Sequence, residues 1–238
     1  MHQFEIQRLT KLELFGFDAS FTNASLFMVI AIALISAFLI LAMRGRALVP
    51  TRLQSMAELV YEFIANMIRN AVGEDGMKYF PIIFTLFIFI LVLNLLGMLP
   101  FSFTVTSHII VTFALAFFVW LLVTAIGFAR HGLGYLKLFV PHGVPLVLMP
   151  IIVPIEIISY LIRPVSHSVR LFANMMAGHT MLKVFAGFVT SLGLVGGWAP
   201  LGFMVAFTGL EVVVAILQAF IFTLLTCIYL NDAVNMHH

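Results

Sequence analysis

The chain has 238 residues, 63% of them apolar, with only 12 lysines and arginines and 10 aspartates and glutamates. A soluble domain has about a quarter of its positions charged. A mean hydropathy of +1.15 and apolar runs near bilayer length therefore leave a polytopic α-helical membrane protein as the only comfortable reading. The runs do not alternate as the strands of a transmembrane barrel would, and a net charge of +2 is too small to suggest nucleic acid. The single cysteine, Cys227, excludes an internal disulfide and a multi-cysteine metal site.

In chain order, residues 1–21 carry Glu5, Arg8, Lys11, Glu13 and Asp18 without an apolar core, and predict a short amphipathic or extended arm rather than a cleaved signal peptide. Residues 26–43 form the first predicted span, with Ser25 as N-cap and Arg44, Gly45 and Arg46 at its end. In residues 51–72, Leu53, Met56, Val60, Phe63, Ile64, Met67 and Ile68 recur at helical spacing among Gln54, Glu58, Glu62 and Arg69. That pattern predicts an amphipathic helix on the membrane surface or against partner helices.

Residues 80–99 and 109–129 are the second and third spans, joined by a short connection without lysine or arginine. Asn94 is either a donor between helices or part of a polar path, and Thr104, Ser107 and His108 stand near the same mouth. Residues 131–146 read as a loop. Residues 146–190, with Pro150, Pro154 and Pro164, and residues 201–230 predict a hairpin around Gly193, Gly196, Gly197 and Pro200. Helices of that length must tilt strongly in a bilayer. The expected architecture is five crossings plus one surface helix, in a single membrane domain. Placing the lysines and arginines of the connections inside puts the N-terminus outside.

The ionisable groups gather on the hairpin. Counted from a turn near residue 196, Arg170 and Gln218 fall at roughly one level. His179 and Glu211 share a second level, about 10–14 Å nearer the outside. Glu156 lies roughly 21 Å inward of Arg170. Arg163, His167, Arg170 and Asn174 follow one helical stripe, with His179 on the opposite side. Bland readings stand beside these: Arg163 and Lys183 snorkelling or pairing, His167 as a packing histidine, His179 with Glu211 as a buried ion pair. Arg170 resists such a reading, because it lies near mid-membrane with no carboxylate one turn away. Haem ligation would need matched histidines on a second helix, and the last helix has none.

The run Arg170-Leu171-Phe172-Ala173-Asn174-Met175-Met176-Ala177-Gly178-His179, with Glu211 and Leu217-Gln218-Ala219-Phe220-Ile221-Phe222, resembles subunit a of the F-type ATP synthases. Asn94-Leu95-Leu96-Gly97-Met98-Leu99-Pro100 extends the resemblance. It implies a stator subunit of the Fo sector, without nucleotide binding or catalysis of its own. Its partners are then a rotating ring of c subunits, b-type peripheral stalk subunits and membrane lipid, with no cofactor. Arg170 matches the essential arginine, and Asn174 and Gln218 its polar neighbours. His179 and Glu211 match the outer half-channel pair, which some bacterial members carry exchanged. Glu156 matches the inner half-channel carboxylate. A bacterial plasma membrane or a mitochondrial inner membrane fits. The competing reading, an autonomous channel or secondary transporter, expects internally repeated halves with broken helices, and the sequence shows no such repeat.

Overall fold

The computed structural model describes residues 8–10, 13–14, 17–18, 21–44, 50–99, 102–140 and 148–235, with side chains from Thr22 onward apart from 194–195. Glu5, Lys11, Gly45, Arg46, Pro100, Pro141, Pro145 and Leu146 lie outside it.

The arm is extended rather than helical. Strand β1 (Arg8–Thr10) pairs antiparallel with β4 (Phe21–Thr22), and β2 (Glu13–Leu14) pairs with β3 (Phe17–Asp18). Among the described residues six α-helices follow: α1 (Asn23–Met43), α2 (Arg52–Ala71), α3 (Phe80–Gly97), α4 (Ile109–His131), α5 (Met149–Gly196) and α6 (Trp198–Val234). All but α2 are long and apolar enough to cross a membrane.

The first span starts three residues earlier than the hydropathy suggests. Its cap is Thr22, whose hydroxyl accepts from the Ser25 N–H, so Ser25 is the third helical residue rather than the cap. Residues 132–139 wind as 3₁₀ turns instead of an open loop. The hairpin turn is also tighter than expected. Gly193 breaks the helix with φ of 61°, a left-handed value that glycine adopts at no steric cost. Pro200 falls in the first turn of α6, where no N–H is needed.

The core forms where α3, α4, α5 and α6 meet, around Ile83, Phe87, Ile90, Val119, Leu171 and Phe222. Helix α2 turns Ile64, Met67 and Ile68 into this core and leaves Leu53, Met56 and Phe63 exposed, so only part of its apolar stripe is covered within the chain. Asn235 donates to the Val72 carbonyl at 2.8 Å, tying the ends of α6 and α2 together. Helix α1 touches the bundle along a narrow seam, where Ala24 and Ala31 pack near Leu93, Phe103 and Val105. Two small residues seven apart allow that close approach over two turns.

Candidate functional site

The antiparallel pairing of α5 and α6 brings His179 and Glu211 together. The imidazole Nδ1 lies 3.3 Å from Glu211 Oε1, and both side chains are buried. The equal distances from the turn thus become a direct contact. Gly178 faces Glu211 so closely that a Cβ there would stand 2.5 Å from Oε1 and 2.9 Å from the carboxyl carbon. The carboxylate occupies space that only glycine leaves. The residue is visible in the sequence, but its importance depends on the opposite helix.

Thr104, from the connection between α3 and α4, completes the group. Its hydroxyl donates to the Gly97 carbonyl at 3.1 Å and lies 3.0 Å from His179 Nε2. A hydroxyl has one proton to give. With that proton on Gly97, Nε2 of His179 carries its own hydrogen and donates it to Thr104. Nδ1 then faces the carboxylate. Among the described residues both carboxylate oxygens of Glu211 are buried without a hydrogen-bond partner, so the imidazole is the nearest titratable group to them. Gly97 makes room for Thr104, since a Cβ there would sit 2.8 Å from the threonine Cγ2. Ser102, Thr106 and Ser107 are buried in the same connection, where His108 stacks on Phe103. Buried hydroxyls and an imidazole there form a polar mouth beside His179.

Arg170 stands on an exposed face of α5 with Ala173, Asn174 and Ala177. Among the described residues no carboxylate pairs with it. Asn174 donates to Gln218 Oε1 at 2.7 Å, and Gln218 is buried. The stripe from Arg163 to Asn174 therefore divides by contact. His167 turns inward, edge-on against the Phe222 ring at 3.8 Å between centroids, which makes it a packing histidine. Arg163 binds Asp232 at 3.1 Å and lies over the Tyr160 and Tyr229 rings. Asp232 escapes sequence reasoning because it lies 69 residues from Arg163, and only the hairpin joins them. Asn94 donates to the Ala215 carbonyl at 3.1 Å and so joins α3 to α6.

Glu156 is half-buried near the start of α5. The structure does not bring it to the other groups, since 14 helical residues separate it from Arg170 by about 21 Å. Arg170 is likewise nine residues from His179, about 13 Å along the axis and on another side of the helix. The arrangement thus has three stations: a buried acid–imidazole pair, an unpaired cation on an open face, and a distant carboxylate. Among the described residues no group of three or more histidine, cysteine or acidic side chains is placed to hold a metal ion.

Comparison with known proteins finds one family along nearly the whole chain. The family model described as ATP synthase A chain matches residues 25–231. The chain is 60% identical over 239 residues to the ATP synthase subunit a of Pelagibacter ubique, covering 100% of this chain and 98% of that one. It is 57% identical over 244 residues to that of Mesorhizobium japonicum, at 100% and 97% coverage. With that of Rhodospirillum rubrum it shares 58% over 237 residues, at 100% and 98% coverage. With five apolar helices among its described residues and relatives matched along its whole length, the chain belongs to the ATP synthase A chain family, as a multi-pass membrane subunit of the Fo sector.

Proposed function

We propose that this chain is the stator element that couples proton flow to rotation of a ring of c subunits. The observation that carries the proposal is Arg170, a permanent cation on a membrane-embedded helix face with no acidic partner among the described residues. Such a charge is costly in a bilayer unless a carboxylate comes to meet it. A carboxylate on each passing ring subunit meets that need. The neighbouring Ala173 and Ala177 are small enough to let a partner helix approach closely.

On this reading, His179 and Glu211 form the outer half-channel relay, reached past Thr104 from the polar α3–α4 connection. A proton passed through the pair neutralises a ring carboxylate, which can then face lipid. After most of a turn the carboxylate reaches the inner path, where Glu156 takes part in carrying the proton away. Arg170 favours the ionised carboxylate at that point, because an opposite charge within about 4–6 Å lowers a carboxyl pKa by about 1–3 units. It also separates the two half-paths. Asn174 and Gln218, bonded to each other, keep the ground beside Arg170 polar without adding charge. Arginine suits the role since its guanidinium stays protonated where a buried lysine can lose its charge.

The exposed outer faces of α1 and α2 are then available to b-type stalk subunits and lipid. The bacterial relatives support the plasma membrane, with the positive connections inside. Full-length similarity to ATP synthase subunits speaks against an autonomous channel. The test is Arg170→Ala and Arg170→Lys in the assembled complex. Both are expected to abolish proton-driven ATP synthesis, and the alanine variant to raise passive proton leak. Near-normal synthesis in either, at normal assembly, removes Arg170 from the mechanism.

A further inference from the structure

Helix α5 passes through Pro164 without ending. A proline inside a helix has no N–H, so the carbonyl four residues earlier loses its bond. That carbonyl belongs to Tyr160, and in a membrane an unpaired carbonyl is costly. Here it is met from another helix: Trp120 Nε1 of α4 donates to the Tyr160 carbonyl at 3.2 Å.

The side chain of the same tyrosine is held too. Thr124 Oγ1 donates to the Trp120 carbonyl at 2.6 Å and lies 2.5 Å from the Tyr160 hydroxyl. The Tyr135 hydroxyl lies 3.1 Å from that of Tyr160. The donors run one way, from Tyr135 to Tyr160 to Thr124 to the Trp120 carbonyl. The chain ends on a backbone carbonyl, which has no proton to pass on, so it fixes position rather than conducting protons. Tyr135 is buried where Gly127 leaves room for its ring. Arg163, one residue before the proline, lies over Tyr160 and Tyr229 and binds Asp232. The gripped residue thus stands between Glu156 and Arg170 on α5.

We propose that Trp120 is a positioning residue for proton transport. It replaces the helical hydrogen bond that Pro164 removes, and with Thr124 and Tyr135 it fixes the direction in which α5 leaves the proline. The inference requires only that α5 beyond Pro164 takes part in transport. It does not depend on the roles proposed for Arg170, whose own variants test those separately.

The experiment is a double-mutant cycle read as ATP-driven proton pumping per assembled complex in membrane vesicles. Trp120→Phe keeps a ring and removes the donor, and is expected to lower pumping about five-fold, the worth of one hydrogen bond. Pro164→Ala returns an N–H that bonds the Tyr160 carbonyl within the helix. In that background Trp120→Phe is expected to cause no further loss. Losses that multiply in the double variant, or full pumping by Trp120→Phe alone, overturn the proposal. If Pro164→Ala does not assemble, Trp120→His decides instead, because its five-membered ring can present an N–H at the same position. It is expected to pump better than Trp120→Phe, and equal or poorer pumping overturns the assignment.

Discussion

Gly178→Ala tests the geometry of the acid–imidazole pair with a single methyl group. The added Cβ would stand 2.5 Å from Glu211 Oε1, whereas ordinary contact begins at 3.4 Å, so the carboxylate must retreat by about 0.9 Å. The contact it makes with His179 Nδ1 is already 3.3 Å long, and displacing the carboxylate disturbs the placement that the proposed relay needs. Misplacement of about 1 Å at a reacting group can cost on the order of 100-fold. Alanine is a better helix former than glycine by about 1 kcal/mol, so loss of α5 itself cannot explain a defect. ATP-driven proton pumping per assembled complex is expected to fall at least about ten-fold. Gly187→Ala, where a Cβ meets nothing within 4 Å, serves as the control and is expected to pump normally. Glu211→Asp shortens the side chain by about 1.5 Å and removes the clash. The double variant Gly178→Ala with Glu211→Asp should therefore pump no worse than Glu211→Asp alone. Normal pumping by Gly178→Ala, or losses that multiply in the double variant, would refute the close approach of Glu211 to the α5 backbone.

Exchanging the pair, His179→Glu with Glu211→His, keeps one acid and one imidazole at the same place, whereas each single change creates a like pair whose titrations split. The exchanged double variant should pump better than at least one single parent, and a double variant worse than both would show that the residues act independently. Thr104→Val removes the acceptor that holds His179 Nε2–H, and should slow pumping several-fold, with Thr104→Ser retaining most of it; equal rates in the two variants would rule out a role for the hydroxyl. Glu156→Gln should slow proton flux while leaving assembly intact, and unchanged flux from about pH 6 to 9 would make Glu156 a structural acid.

Much of the architecture was legible in the sequence because the bilayer imposes a simple rule. A segment must bury its own backbone polar groups and be apolar for about 20 residues, so hydropathy locates α1, α3, α4 and the hairpin. The mixed pattern of α2, with Glu58, Glu62 and Arg69, equally marks a helix unsuited to crossing. Depth along the hairpin could be counted because helical rise is constant. His179 and Glu211 therefore fall level on helical rise alone, and a polar residue such as Asn94 within an apolar span has only two readings.

Contacts that depend on which faces meet were not legible. Spacing puts Arg163, His167, Arg170 and Asn174 on one stripe, yet only the packing of α6 decides their fates. His167 goes against Phe222, Arg163 to Asp232, and Arg170 to the open face. Thr104 reaches His179 across 75 residues, a relation that no local pattern encodes. Gly178 and Gly97 look like ordinary helix glycines until the side chains opposite them are in place. Pro164 announces a missing hydrogen bond in the sequence, but its replacement, the indole of Trp120 on a different helix, exists only once α4 lies against α5. Periodicity and hydropathy are properties of one helix, whereas these contacts belong to pairs of helices, so tertiary structure alone decides them.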